Sequence, residues 1–440
     1  MDKAPARALM KLLPKADDLV ISAEEEQSTQ VKFANNKVIV TEHAIHSGLQ
    51  VYAVVGKKCI GTGVHDLSPK GLRDIASKIM TFSSFLQPNE EYAGIAKGPF
   101  EYKKIARMYD PKVASLKGAS LISKALATVP PGFRAAGVLE SSSNSHFLIT
   151  SGGVEATERQ TNLYFSVRVL AQPDASGHLV HCSSSLRGFD PVAMTLKAAE
   201  LARSAMNPLQ GESGIYDVIF EPLPAANLLE HVGRSAGAFA LEAGFSFLVG
   251  KLGSKVASSA LSLYDDPQLP EGMNSTSFDE EGFPTTRKPI IEDGILKTYL
   301  HNTSTAVKYK TKTTGNAGLV APEPFNLVVR PGKETKEQLI KNIKKGLLIT
   351  NVWYTRFQDY EQGLFSTIPR DAAFLIEDGK IIRPVKGIRI SDSLPRMIKE
   401  LTPAKESQQI AGWEVELPVV TPPLLVRRVN ITKSTDLEAD

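Results

Sequence analysis

The chain has 440 residues, and its 51 lysines and arginines nearly balance its 48 aspartates and glutamates, which leaves a formal net charge of +3. A hydrophobic fraction of 42% excludes a globally disordered chain, and the near-neutral charge argues against a dedicated nucleic-acid binder. The two cysteines, Cys59 and Cys182, exclude a disulfide scaffold and an all-thiolate zinc module.

The beginning of the chain indicates no membrane or secretory segment. Its apolar run, residues 6–13, is too short and too interrupted by lysine and proline for a signal peptide. No other stretch approaches the roughly 18 apolar residues that a membrane helix needs. We therefore expect a cytoplasmic protein without membrane contact.

The next part of the chain is rich in β-type residues and then changes to helical spacing. Residues 19–64 read as strands, with Asn35-Asn36 as a hairpin turn because asparagine tolerates left-handed backbone angles. Apolar residues recur every three or four positions across residues 72–79. Ser68 and Pro69 suit the first positions of this helix, since serine caps free N–H groups and proline lacks one.

A similar order recurs about 115 residues later. A turn at residues 151–153 precedes β-type runs at 163–171 and 178–183, and Asp190-Pro191 then opens a helix. This repetition predicts two copies of a unit made of a hairpin and a helix. Hairpins followed by helices are common, so unrelated units are the alternative.

The C-terminal half differs in pattern. Helical spacing ends near Asn207-Pro208, and from residue 282 onward short β-type runs alternate with turns. We predict an α+β protein with an N-terminal α/β domain, residues 1–208, and a C-terminal β-rich barrel or sandwich domain, residues 209–440.

One helical segment after this boundary carries unusual polar residues. Its apolar positions, including Leu229, predict one buried face, and Glu230, His231 and Arg234 fall largely off that face. Zinc peptidases combine a histidine and a carboxylate on one helix. A second histidine is absent here, so the residues favour a helix with a polar face at a cleft or interface over a metal site.

Two loops could also carry chemistry. Asp279, Glu280 and Glu281 precede a glycine, and we predict a solvated turn in which Asp279 bonds its own backbone, with a cation loop as the alternative. The loop with Gly315 and Asn316 is small and polar, so it can admit a peptide or phosphate or be an ordinary surface loop.

The order of motifs over most of the chain resembles the TldD/PmbA family, and within it the PmbA (TldE) branch. The motifs that carry this resemblance lie at residues 33–36, 228–233, 244–253, 277–282, 292–300 and 314–317. The resemblance implies a two-domain component of a cytosolic metallopeptidase that trims or degrades unstructured peptides.

The TldD branch of this family carries a His-Glu-x-x-x-His helix and a distant cysteine that completes the metal site. Laid on this sequence, the pattern keeps the glutamate as Glu230, but Leu229 and Arg234 stand at the histidine positions, and no cysteine follows Pro208. The resemblance therefore implies a degenerate site without catalytic residues or metal in this chain. Zinc is then expected in a TldD-like catalytic partner, and a homodimer is also plausible.

Two alternatives stay open at this point. A self-sufficient metal-dependent peptidase would need another site, for instance His301 with the carboxylates of residues 279–281. A regulatory binding protein is the other, because the family also resembles modulators of DNA gyrase. Two small basic patches, Lys341 with Lys344 and Lys345, and Arg427-Arg428, read as solvated faces, so direct nucleic-acid binding is not expected. The candidates for substrate contact are His231, His301, Gly315 and Asn316.

Overall fold

The computed structural model describes residues 1–172, 174–318 and 320–433. Its N-terminal half contains one six-stranded sheet and five helices among the described residues. In chain order these elements are α1 (Ala4–Leu12), β1 (Asp18–Ala34), β2 (Lys37–Val55), β3 (Lys58–Val64), α2 (Pro69–Ser83), α3 (Pro111–Ala114), α4 (Gly118–Leu126), β4 (Arg134–Thr150), β5 (Glu155–Gln172), β6 (Ala175–Ser183) and α5 (Pro191–Ser204).

The order of strands in this sheet is β3-β2-β1-β4-β5-β6, and every neighbouring pair is antiparallel. Strands β1 and β4 meet at the centre, so each half of the sheet is a three-stranded meander followed by a helix. One buried cluster joins the first half to α1 and α2, and another joins the second half to α4 and α5. The predicted duplication of a hairpin-plus-helix unit is confirmed.

Local chemistry explains the ends of these elements. Asn35 and Asn36 have φ angles of 48° and 62°, as a tight turn between twisted strands requires. The Ser68 hydroxyl accepts a hydrogen bond from the Gly71 N–H at 3.1 Å at the start of α2. Asp190 caps α5 in the same way through the Ala193 N–H.

The C-terminal half is rich in strands, as predicted. Its elements are β7 (Leu209–Gln210), β8 (Gly214–Phe220), α6 (Pro222–Arg234), α7 (Ala238–Glu242), β9 (Leu263–Asp265), β10 (Lys288–Glu292), β11 (Ile295–Leu296), α8 (Thr303–Lys308), β12 (Leu327–Val329), α9 (Lys336–Lys341), β13 (Lys345–Ile349), β14 (Val352–Asp359), β15 (Leu364–Pro369), β16 (Ala373–Glu377), β17 (Lys380–Lys386), β18 (Ile388–Ser393), α10 (Leu394–Lys399), β19 (Leu401–Pro403), β20 (Gln408–Gly412), β21 (Val415–Thr421) and β22 (Leu424–Lys433).

These strands form two sheets. One has the order β11-β10-β9-β12-β21-β20, and the other runs β14-β15-β18-β22-β8-β13-β16-β17-β7 with β19 beside β22. Helix α6 contacts strands of both sheets, and the largest buried cluster of the protein surrounds it. The architecture agrees with the predicted α+β class and its β-rich C-terminal half. No helix in the described ranges is long and apolar enough to cross a membrane.

A buried polar network joins the two halves of the chain. The carboxylate of Asp371 accepts hydrogen bonds from Arg168 Nε at 2.7 Å, Ser176 Oγ at 2.6 Å and Asn351 Nδ2 at 2.6 Å. His178 lies beside them and is buried. Burial and the nearby Arg168 charge lower the pKa of His178 to about 3, so its imidazole is neutral near pH 7.

Candidate functional site

Helix α6 is the structural centre of the candidate site. It begins with Pro222 and is buried on almost all sides, as expected of a helix between two layers of sheet. Gly233 permits this packing, because a Cβ atom there would lie 2.4 Å from Leu327 Cδ1 on the neighbouring strand β12. The helix can therefore expose only a narrow strip of polar side chains.

That strip faces a cleft of about 590 Å³. From α6 the cleft receives polar and charged side chains, namely Asn227, Glu230, His231 and Arg234, followed by Ser235. The opposite walls are partly aromatic and partly acidic, and include Phe239, Phe245, Phe357, Tyr360, Trp413, Glu323, Glu414 and Glu416. The sequence-based prediction of a helix with a polar face at a cleft agrees with this arrangement.

Glu230 has a buried carboxylate with defined partners. Its Oε2 atom accepts hydrogen bonds from the backbone N–H groups of Glu416 at 2.9 Å and Leu417 at 3.0 Å in strand β21. Burial raises the pKa of Glu230 to about 7, although these two hydrogen bonds act in the opposite direction. One carboxylate oxygen is thus engaged in holding a strand in place.

His231 and Arg234 differ in charge. Burial, together with the Arg234 charge, lowers the pKa of His231 to about 4, so the imidazole is neutral near pH 7 and lies edge-on to the Phe357 ring at 4.8 Å. The Arg234 guanidinium is 2.9 Å from Glu416 Oε2 and 3.4 Å from Glu323 Oε2. It bridges two acidic walls of the cleft and cannot act as a metal ligand, because arginine stays protonated.

The residues on α6 do not fit a zinc site. Structural and catalytic zinc sites use at least three protein ligands from histidine, cysteine and carboxylates. Leu229 is 1% exposed and packs in the C-terminal core. The alignment with the TldD pattern places a metal ligand at this position, but a side chain here points away from the cleft. Within the described residues, no group of three or more such side chains is arranged to hold a metal ion.

The other three candidates for substrate contact lie outside this cleft. His301 is buried, and its ring contacts Tyr309 and Thr305. Gly315 has a φ of +64°, and Asn316 is buried with its Nδ2 atom 2.7 Å from Asp265 Oδ2. Of the four predicted contacts, the cleft therefore includes His231 only.

Asn316 still influences the cleft indirectly. Its Nδ2 atom donates to the backbone oxygen of Glu323 at 2.9 Å, and Glu323 lines the cleft beside Arg234. The side chain of Asn316 thus anchors the segment that forms one acidic wall.

The acidic run at residues 279–281 is not a solvated turn, so this prediction was wrong. Asp279 and Glu281 are buried, and burial followed by the Glu281 charge raises the pKa of Asp279 to about 8. The predicted bonding of Asp279 to its own backbone is present, through the N–H groups of Glu281 and Phe283. Glu281 accepts from the Thr303 hydroxyl and the Ala96 N–H. The run is a buried contact between the two halves, which sequence periodicity does not reveal.

Several cleft residues were missed by the sequence analysis. Phe357 and Tyr360 stack with ring centroids 5.1 Å apart, and Phe245 meets Tyr360 edge-on at 5.2 Å. Trp413 is held by the Arg168 guanidinium, 4.3 Å from its ring. The density of aromatic residues in 353–360 was the available signal, but only the fold brings this segment against α6.

Comparison with known proteins identifies the family. Residues 213–433, about half of the chain, match the family model described as the PmbA/TldA metallopeptidase C-terminal domain, and residues 101–206 match the corresponding central domain. The chain belongs to the PmbA/TldD metallopeptidase family.

Curated metalloproteases are similar to this chain over part of their length. A metalloprotease of Methanothermobacter thermautotrophicus is 30% identical over 47% of this chain and 45% of its own, and metalloprotease PmbA of Escherichia coli O157:H7 is 32% identical over 42% and 39%. The match thus spans about half the length of these curated relatives or less.

Two solved structures share the fold along nearly all of the chain. A Thermotoga maritima protein described as a candidate modulator of a DNA gyrase covers 98% of this chain and all of its own, with a TM-score of 0.85 and 24% identity. TldE from Thermococcus kodakarensis covers 97% of this chain and 98% of its own, with a TM-score of 0.84 and 19% identity. At these identities the similarity concerns the fold alone.

Proposed function

We propose that this chain is a TldE/PmbA-like subunit that pairs with a TldD-like, metal-bearing chain, and that the pair processes or degrades unstructured peptides. In this proposal the chain has no metal site of its own, and zinc is held by the partner. The observation that carries the proposal is the composition of α6. Its cleft-facing side chains include one glutamate and one histidine, and the next charged group is an arginine in two ion pairs.

The chemical consequence concerns water activation. Zinc lowers the pKa of bound water to about 7, and a nearby carboxylate then accepts the proton. Glu230 already accepts two backbone hydrogen bonds, and its neighbours do not supply the ligands for such an ion. The proposed contribution of this chain is therefore binding and positioning of peptide and partner.

The cleft supports a role in peptide binding. Strand β14 is the last strand of its sheet, and residues 355–357 on this strand line the cleft. An extended peptide can add to such an edge through main-chain hydrogen bonds, which makes binding independent of most side chains. The exposed aromatic side chains of Phe239 and Tyr360 offer apolar contacts at the same place.

The decisive experiment compares this chain alone, a TldD-like protein from the same source alone, and the co-expressed pair. We expect stoichiometric zinc in the TldD-like protein and in the pair, little zinc in this chain, and peptide hydrolysis by the pair. Hydrolysis or stoichiometric zinc in this chain alone would favour a self-sufficient peptidase. Absence of any complex would favour a regulatory binding protein of the gyrase-modulator type.

The proposal also includes a cytoplasmic location, which is a prediction from the sequence. We also propose that this chain forms a homodimer in the absence of the partner. Size-exclusion chromatography with light scattering of this chain, alone and with the TldD-like protein, measures both assemblies. Direct nucleic-acid binding is not part of the proposal, because the acidic walls of the cleft repel phosphates.

A further inference from the structure

One face of the N-terminal sheet carries acidic side chains. Ala23 packs in the core beneath α2, so Glu24, the next residue along β1, projects from the opposite face. There it lines a cavity of about 220 Å³ together with Glu26, Glu158 and, from the C-terminal half, Glu280. This cavity lies between the two halves of the chain.

The acidic cavity continues toward the α6 cleft. A neighbouring cavity of about 360 Å³ shares Glu24 and Glu280 with it, and shares Ala321 and Glu323 with the cleft. Among the described residues that line these two cavities there is no lysine or arginine. We call the two cavities together the acidic groove.

Buried hydrogen-bond acceptors without donors occur along the same face. Asn144 lines the acidic groove, and its Oδ1 atom is buried and has no hydrogen-bond partner within the described residues. The Oδ1 atom of Asn162 is likewise buried without a hydrogen-bond partner among the described residues, and Asn162 lines a cavity that includes Glu26 and Glu140. A buried unpaired acceptor is unfavourable, so these sites favour a ligand that supplies donors.

The pKa values of His146 and Glu280 reflect the closely spaced carboxylates of the groove. Burial alone would lower the pKa of His146, but the nearby carboxylates of Glu158, Glu280 and Glu24 outweigh it and raise the pKa. Burial raises the pKa of Glu280, the His146 charge acts in the opposite direction, and the charges of Glu24 and Glu158 raise it further. A cation in the groove would relieve this repulsion.

We propose that the acidic groove binds a basic segment of an extended peptide, whose lysine or arginine side chains donate to Asn144 Oδ1 and to the carboxylates of Glu24 and Glu280. The inference rests on the proposed function, since it names the class of peptide whose neighbouring residues occupy the α6 cleft. Ammonium and guanidinium groups carry only donors, and the carboxylates of the groove carry only acceptors.

The test measures binding to this chain alone by fluorescence anisotropy. The probe is a labelled twelve-residue unstructured peptide with blocked termini and two lysines, compared with the same peptide carrying glutamine at both positions. We expect the lysine peptide to bind about tenfold more tightly at low salt, and this preference to decline with added salt. Equal affinity for both peptides would overturn the proposal.

Matched variants locate the effect. Glu24→Gln combined with Glu280→Gln should abolish the preference for lysine. Glu42→Gln, which removes an exposed carboxylate on the neighbouring strand β2, should preserve it. Glu24→Gln alone should lose part of the preference. Because Glu24 is exposed, this single variant remains a test even if the double variant does not fold. A preference that survives in both groove variants, or that is lost equally in Glu42→Gln, contradicts the assignment.

The outcome is separable from that of the proposed function. The binding assay needs neither zinc nor a partner chain. If the co-expressed pair shows no hydrolysis while the lysine preference is present and sensitive to the groove variants, only the proposed function fails. If the pair cleaves peptides and the preference is absent, only this inference fails.

Discussion

The backbone N–H of Leu417 donates to the Glu230 carboxylate across 3.0 Å, and this bond ties helix α6 to strand β21. The same carboxylate oxygen also accepts the N–H of Glu416. Glu230 therefore has a structural task that explains a glutamate at this position without reference to a metal. The two amide groups would otherwise lack this partner in a largely buried environment.

Replacement of this carboxylate tests the structural role. We expect Glu230→Ala to lower the free energy of unfolding by about 1–3 kcal/mol, because two N–H groups lose their acceptor. Glu230→Gln keeps one acceptor oxygen and should lose less. Thermal unfolding of both variants measures the effect. Glu416→Gln is the control, because its side chain is 83% exposed and should change the unfolding temperature little.

The raised pKa of Glu230 predicts a pH dependence with a definite sign. The folded value of about 7 exceeds the ordinary value of 4.5, so between these pH values the folded state holds a proton that the unfolded chain releases. The contribution of Glu230 to stability therefore declines as pH rises through this window. Glu230→Gln does not titrate, so its stability relative to the wild type should improve from pH 5 to pH 7.5. An unchanged difference would contradict the pKa shift.

Restoring the histidines of the TldD pattern should not create a zinc site. In the Leu229→His and Arg234→His double variant, the first histidine enters the core and not the cleft, because Leu229 is 1% exposed. We expect a loss of about 2–5 kcal/mol in stability and no stoichiometric zinc in elemental analysis. Arg234→His alone should be tolerated, since ion pairs of partly exposed groups contribute about 0–1 kcal/mol. Tight zinc binding by the double variant would refute the orientation of α6.

Close packing at Gly233 predicts another effect. A Cβ atom there would lie 2.4 Å from Leu327 Cδ1, so Gly233→Ala requires either the buried Leu327 side chain or helix α6 to shift. We expect a destabilisation of about 1–3 kcal/mol. Gly63→Ala is the matched control, because its nearest neighbour lies 3.6 Å away at the flexible Gln50 side chain. Similar unfolding temperatures for the two variants would show that the helix does not pack as described.

The polar network between the halves predicts a strong effect of Asp371. Asp371→Ala leaves the largely buried Arg168 guanidinium without its partner and should cost about 3–5 kcal/mol. Thermal unfolding measures the loss of stability, and limited proteolysis measures whether the contact between the two halves has opened. Asp174→Ala, which removes an exposed ion pair with Lys386 between the same halves, is the control and should have a small effect.

The same network predicts loss of stability in acid. The folded pKa of His178, about 3, lies below its ordinary value of 6.5, so the unfolded chain binds a proton first as the pH falls. Stability from this group is complete above pH 6.5 and declines toward pH 3. Burial alone would raise the pKa of Asp371, but Arg168 and the hydrogen bonds outweigh it and lower the pKa, which adds to the loss at the acidic end.

Local chemistry made much of the fold predictable from the sequence. The turn at Asn35-Asn36, the caps at Ser68 and Asp190 and the helical spacing of α6 depend on residues close together in the chain. The repeated order of these signals indicated the two units of the N-terminal sheet. The sequence pattern of residues 336–346 is typical of one amphipathic helix, but α9 ends at Lys341. Residues 345–349 instead pair with β8 and β16, and local propensity does not predict such pairing.

The residues of the α6 helix were recognisable by type, but which of them face the cleft was decided only by the tertiary structure. Leu229 and Glu230 are adjacent in sequence, yet one enters the core and the other bonds β21, because packing between two sheets sets the rotation of the helix. Burial of Asp279 and Glu281 likewise arises from contact between distant halves of the chain. Local spacing and turn chemistry determined most elements, and the order of motifs indicated the family, whereas burial and charge environment required contacts between residues far apart in sequence.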